Sequence, residues 1–154
     1  MAQQDETLAR AARRRDEQGL SYAGAVTPQE AYAILQANPR AKLIDVRTRA
    51  EIDWVGRPDV PPEQYALVEW NRYPGGVRNP EFLAELRAAA PADAPALLLC
   101  RSAARSKAAA SAAAEAGFTQ VYDILEGFEG DRDAAGHRKQ VGGWCFHQLP
   151  WIGA

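Results

Sequence analysis

The chain has 154 residues, 47% of them hydrophobic and 25% charged, the proportions of one ordinary globular domain with a core of its own. A formal net charge of −2 gives no general attraction to nucleic acid or to a membrane surface, and no apolar run approaches the roughly 18 residues of a membrane span. The opening "MAQQDETLARAARRRDEQGL" lacks the apolar core of a secretory signal, and the two cysteines, Cys100 and Cys145, form no disulfide framework, so the expected compartment is the cytoplasm.

Residues 5–19 carry good helix formers and balanced charge up to Gly19, and predict a solvent-facing helix. "TPQEAYAILQANP" predicts a second helix. Thr27 is its N-cap, Pro28 its first helical residue and Glu30 the reciprocal member of a capping box; Ala31, Ile34 and Leu35 form the apolar stripe. A short buried strand follows from Lys42 to Val46, and a second is predicted over 65–70. "NPEFLAELRAAAP" reads as a helix capped by Asn79 with Pro80 just inside, and "ALLLC" (96–100) as a strand. "ARSKAAASAAAEAG" is a helix with Gly117 beyond its end, and "TQVYDI" (119–124) the next strand. Strands alternating with helices predict an α/β fold whose central, mostly parallel sheet carries helices on both faces.

In such a sheet ligands bind where strands end and helices begin. Cys100 stands at that kind of junction, and the tight loop after it can converge backbone N–H groups with those of the helix N-terminus into an anion cradle. Arg101, Arg105 and Lys107 add three positive charges before the first acid, Glu115. That field favours the thiolate, which is the nucleophilic form of cysteine. The competing reading is a small core residue that ends a strand.

Three stretches in this order, "LIDVRTRAEI" (43–52), "LLLCRSAARSKAAA" (97–110) and "YDILEGFEGD" (122–131), resemble the rhodanese-like sulfurtransferase domain. The tail "GGWCFHQLPW" is similar to the ending of many such domains. The resemblance runs from about Thr27 to Ile152, so the expected organisation is an N-terminal helical extension over 1–25 and a single rhodanese-like domain over 26–154. The resemblance also implies a mechanism in which Cys100 takes the outer sulfur of a small anionic donor such as thiosulfate and holds it as a persulfide. A thiol, or cyanide in the laboratory, then removes it. No metal or other cofactor is implied, and no nucleic-acid or membrane partner; a protein partner is compatible with the scheme.

Arg101 is expected to point outward and hold the sulfonate end of a donor, with Arg105 partly structural. Ser102, Ala103, Ala104 and Ser106 complete the loop, and Asp45 is similar to the family's bracing aspartate. Trp70 and Arg72, beyond a strand end, are candidates for a pocket wall, while Arg47 and Arg49 are expected to pair with Glu51 or Asp53. Four residues, "RSAA", separate Cys100 from Arg105, and Leu99 precedes the cysteine. Cysteine-based phosphatases place five residues there and a histidine before the cysteine, so a phosphatase or arsenate reductase is the lesser alternative. Many active members carry glycine where this chain has Ala103, and a positive φ at that position would cost alanine about 1 kcal/mol or more.

The segment between Gly130 and Gly142 is longer than the family's usual turn and reads as a lid or a plain loop, while Gly127 and Gly130 could bring backbone close to the pocket. His137, His147 and Cys145 lack the pattern of a zinc site; Cys145 is a candidate to resolve an oxidised Cys100. Two functions from different classes follow: a sulfurtransferase, or a non-catalytic module that binds a partner or senses oxidants through Cys100.

Overall fold

The structure, a computed structural model, describes residues 2–153. Helix α1 (Ala2–Gln18) leads into β1 (Gly24–Val26), α2 (Pro28–Ala37), β2 (Lys42–Asp45), α3 (Arg49–Val55) and β3 (Arg57–Pro58). A 3-10 turn (Pro62–Gln64), β4 (Tyr65–Leu67) and a hairpin of β5 (Asn71–Arg72) and β6 (Val77–Arg78) come next. Helix α4 (Phe82–Ala89), β7 (Ala96–Leu99), α5 (Ala104–Glu115), β8 (Val121–Ile124) and β9 (Trp151–Ile152) complete the chain. Five strands form one parallel sheet in the order β1-β8-β7-β2-β4, as the alternating pattern predicts. No helix among the described residues is long and apolar enough to cross a membrane.

Strand alternation divides the core into two layers. Leu43, Leu97, Leu99, Tyr122 and Ile124 pack with Ile34 and Leu35 of α2 and Ala11 of α1. Ile44, Leu98 and Val121 face the other way, onto Phe82 and Leu86 of α4 and Ala109, Ala110 and Ala113 of α5. The buried face of α5 is small because its residues are, which lets the helix lie close over β7 and β8 and bring its first turn to the end of β7.

Helix α2 begins as its sequence dictates. Thr27 Oγ accepts from Glu30 N at 3.1 Å, and Glu30 Oε1 accepts from Thr27 N at 2.9 Å. The Glu30 carboxylate also takes Arg10 at 2.9 Å and Arg14 at 2.7 Å, which ties α1 to α2. Burial opposes the charge on Glu30, but these bonds hold its carboxyl down at about 2.

Several elements depart from the sequence reading. Helix α4 starts at Phe82 rather than Pro80, because the Asn79 side chain accepts from Glu81 N at 3.0 Å and its carbonyl from Phe82 N at 3.2 Å, forming a turn before the helix. The 65–70 strand stops at Leu67, although Val68 N and Trp70 N still donate to the carbonyls of Asp45 and Val46. Helix α3 lies in a stretch read only as part of a motif. It carries a second capping box, Thr48 with Glu51.

Candidate active site

Strand β7 ends at Leu99, whose carbonyl accepts from Val46 N at 2.8 Å, so the next residue emerges at the carboxyl edge of the sheet beside the end of β2. That residue is Cys100, 1% exposed. The chain then curls so that Ala103 N and Ser106 N both donate to Cys100 Sγ, at 3.0 and 3.3 Å. Two N–H dipoles, one from the loop and one from the first turn of α5, thus converge on a single sulfur. To make the curl, Ala103 adopts a left-handed conformation with φ 78°. The positive φ anticipated for this position is present, with alanine rather than glycine bearing it, at a cost of about 1–2 kcal/mol.

A second segment supports the loop from behind. Phe128 N donates to the Cys100 carbonyl at 2.8 Å, and Glu129 N and Gly130 N donate to the Arg101 carbonyl at 3.0 and 3.1 Å. Gly127 makes this approach possible, because a Cβ at that position would stand 2.5 Å from the carbonyl carbon and oxygen of Arg101. Gly130 instead abuts the backbone of Gly142, closing the neck of the 130–142 segment. That segment is a turn built on Asp133, whose carboxylate accepts from Ala135 N and His137 N at 2.9 Å each. The His137 side chain is exposed.

The three loop cations have different surroundings. Arg105 makes a two-pronged ion pair with Glu51 at 2.6 and 2.8 Å, which joins α5 to the start of α3. Burial works against the Glu51 charge, yet Arg105 and the Thr48 cap hold its carboxyl at about 2. Lys107 pairs with Asp123 at 3.0 Å. Arg101 is exposed and, alone of the three, has no carboxylate partner among the described residues.

Asp45 and Arg47 form a fully buried pair, with Arg47 Nε on Oδ1 at 2.9 Å and a terminal nitrogen on Oδ2 at 2.7 Å. Tyr65 donates its hydroxyl to Asp45 at 2.8 Å, and Arg47 also reaches the Gly56 carbonyl and lies over the Phe128 ring, 4.4 Å from its centre. Asp45 is therefore satisfied by a guanidinium and a phenol as well as by the Arg47 N–H. Arg47 does not pair with Glu51 or Asp53 as the sequence reading expects, since it is folded back onto its own strand end and Glu51 belongs to Arg105. Through Phe128, whose N–H reaches Cys100, the buried pair braces the wall behind the site.

Other expected positions have partners of their own. Trp70 is a core residue, edge-on to Phe82 at 5.0 Å and covered by Arg78 at 3.7 Å, and Arg72 donates to Asn79 at 2.7 Å. No described hydrogen bond, ion pair or ring contact joins either residue to the cysteine loop. His147 bonds Glu126 at 2.8 Å and Gln29 at 2.9 Å. Cys145 packs against the α2-side core layer, whereas Cys100 belongs to the α5 side; burial pushes the Cys145 thiol up to about 11, and both thiols are free. No group of three or more metal-ligating side chains occurs among the described residues. A cleft of about 390 Å³ lined by Arg87, Pro91, Gly117 and Phe118 lies at the opposite end of the strands from Cys100.

Two residues are not assigned to the site by the sequence reading, which offers Glu51 only as a partner for Arg47 or Arg49. Glu51 is one; its signal was the Thr48-x-x-Glu51 box, which places its carboxylate at the start of α3. Asp123 is the other, a lone acid inside the apolar run "VYDI", fully buried and bonded to Ser106 at 2.5 Å.

The chain matches the Rhodanese-like domain family over residues 27–134. It is 46% identical to Rv0390 from M. tuberculosis, whose crystal structure superposes with a TM-score of 0.77 over 86% of this chain and 99% of that one. A polysulfide-sulfur transferase homodimer from Wolinella succinogenes is 25% identical, with a TM-score of 0.57 over 92% of this chain and 88% of that one. The uncharacterized protein RP600 homolog of Rickettsia rickettsii is 34% identical over 79% of this chain and 91% of its own length. With a parallel sheet that delivers a cysteine into a six-residue cradle, and with these relatives, the chain belongs to the rhodanese-like domain family.

Proposed function

We propose that this protein is a sulfurtransferase that moves sulfane sulfur from a small anionic donor of the thiosulfate type to a thiol acceptor through a persulfide on Cys100. The observation that carries the reading is the convergence of Ala103 N–H and Ser106 N–H on Cys100 Sγ. Both donors are backbone amides, which stabilise an anion on sulfur without supplying it a proton. The relationship to a polysulfide-sulfur transferase supports the same class of chemistry.

In the forward half-reaction the Cys100 thiolate attacks the outer sulfur of thiosulfate. A bond forms between Sγ and that sulfur, and the bond to the sulfonate sulfur breaks with its electron pair, leaving as sulfite. The product persulfide carries one negative charge, which the loop N–H groups receive. Arg101, exposed and without a carboxylate partner among the described residues, meets the sulfonate oxygens. Arg105 is committed to Glu51 and sets the position of the first turn of α5. In the return half-reaction an acceptor thiolate attacks the outer persulfide sulfur and regenerates the Cys100 thiolate. The scheme uses no metal and no organic cofactor.

Mixing reduced protein with excess thiosulfate, with no acceptor present, tests this scheme. A burst of one sulfite per protein is expected from wild type and from Cys145→Ser, and none from Cys100→Ser. A burst that survives Cys100→Ser would sink the assignment. Absence of a burst from every variant would remove thiosulfate as donor, and polysulfide would then be the probe.

A further inference from the structure

Asp123 sits in the middle of β8 with no exposed surface. A carboxylate taken fully out of water costs several kcal/mol unless partners compensate it, and a structural role in an apolar strand would not ask for one. Its partners form a line. Ser106 donates its hydroxyl to Asp123 Oδ1 at 2.5 Å, and Cys100 Sγ donates to the same Ser106 Oγ at 3.4 Å. A serine hydroxyl has a single proton, and here it is committed to the carboxylate, so the lone pairs of Oγ are left facing the thiol. Lys107 Nζ meets the other oxygen, Oδ2, at 3.0 Å, and its side chain is 49% exposed.

We propose that Asp123, acting through the Ser106 hydroxyl, is the positioning residue that accepts the Cys100 thiol proton, so that the attacking thiolate forms without losing a proton to solvent. The step balances. The S–H bond of Cys100 breaks and its proton bonds to Ser106 Oγ, while the Ser106 O–H bond breaks and that proton bonds to Asp123 Oδ1. The pair carries one negative charge before and after, moved from carboxylate to sulfur, where Ala103 N–H and Ser106 N–H receive it.

The surroundings of Asp123 suit a proton acceptor. Burial raises its proton affinity, which Ser106 and Lys107 only partly offset. Tyr22 also faces it, and burial together with the nearby Asp123 charge pushes that phenol up to about 12, so it stays neutral. The flanking strands present Ala25 and Leu98 in register with it, neither titratable. On the sulfur side Arg105 is the nearby charge, already neutralised by Glu51.

This inference rests on Cys100 being the reacting group, and alkylation kinetics test it without any sulfur donor. When two groups share one proton they titrate as a pair. The rate of Cys100 carboxamidomethylation in wild type should therefore show a pH-independent shelf below its main rise. The Asp123→Asn variant, which can neither take the proton nor oppose the thiolate with a charge, should lose the shelf and rise tenfold per pH unit through the same range, matching wild type at the acid end of the shelf and exceeding it about a hundredfold two units up. Ser106→Ala, which cuts the line but keeps the carboxylate, should lose it too, and Asp123→Asn added to Ser106→Ala should then change nothing further at low pH. A through-space charge alone would give the same shelf with or without the Ser106 hydroxyl, so Ser106→Ala separates the two readings.

A shelf that survives Asp123→Asn, or one left unchanged by Ser106→Ala, would overturn the relay, as would a wild type without a shelf. Should Asp123→Asn fail to fold, as judged by circular dichroism, Ser106→Ala decides alone. A relay that fails while thiosulfate still releases sulfite would leave the sulfurtransferase reading in place.

Discussion

Glu51→Gln removes the charge that fastens α5, and with it the cysteine loop, to α3. The Glu51 carboxyl lies at about 2 against an ordinary 4.5, because Arg105 and the Thr48 cap outweigh its burial. At about 1.4 kcal/mol per tenfold change in proton affinity, that difference amounts to roughly 3 kcal/mol of folded-state stability at neutral pH. The amide of glutamine can keep the bond to Thr48 N, so the expected loss is about 2–3 kcal/mol, or about 5–10 °C in melting temperature for a chain of this size. The sign follows from a depressed carboxyl. Its contribution is complete above pH 4.5 and is lost as pH falls from 4.5 toward 2. Melting curves of wild type and Glu51→Gln across pH 7 to 2 should therefore converge on acidification, since Glu30, the other strongly depressed carboxyl, is common to both chains and cancels. A gap that stays constant down to pH 2, or no gap at pH 7, would refute the account of the Arg105–Glu51 pair.

Gly127→Ala places a Cβ 2.5 Å from the Arg101 carbonyl and forces left-handed alanine; it should cost more than about 2 kcal/mol and slow sulfite release, read by denaturant unfolding and the burst assay. Arg47→Met leaves Asp45 buried without its guanidinium and should lose about 3–5 kcal/mol, with near-normal stability as the contradicting result in the same unfolding experiment. Arg101→Met, at an exposed position without a carboxylate partner among the described residues, should leave the melting temperature within about 1 °C while raising the KM for thiosulfate several-fold. An unchanged KM would remove Arg101 from the donor site.

What the sequence made legible was local or carried by a motif. Thr27, Pro28 and Glu30 specify their helix start within four residues, and the Cys100 loop announces itself because an apolar strand turns basic at one step. The same logic holds for α3, whose start Thr48 and Glu51 specify just as locally. Asp123 was not legible in this way. A lone acid in an apolar strand has meaning only once Ser106 and Lys107, on another element, are seen to meet it. Trp70 follows a strand end, and its packing against Phe82 and under Arg78 of β6 is a tertiary choice that no local pattern encodes. The positive φ of Ala103 was anticipated as a condition of the loop and is met there by strain rather than by glycine.

The central claim is that Cys100 holds transferred sulfur. Intact-mass spectrometry after incubation with thiosulfate tests it directly, comparing wild type, Cys100→Ser and Cys145→Ser. The account predicts a gain of one sulfur atom on wild type and Cys145→Ser, removed by cyanide, and none on Cys100→Ser. Retention of the added sulfur by Cys100→Ser, or its loss in Cys145→Ser, would contradict it.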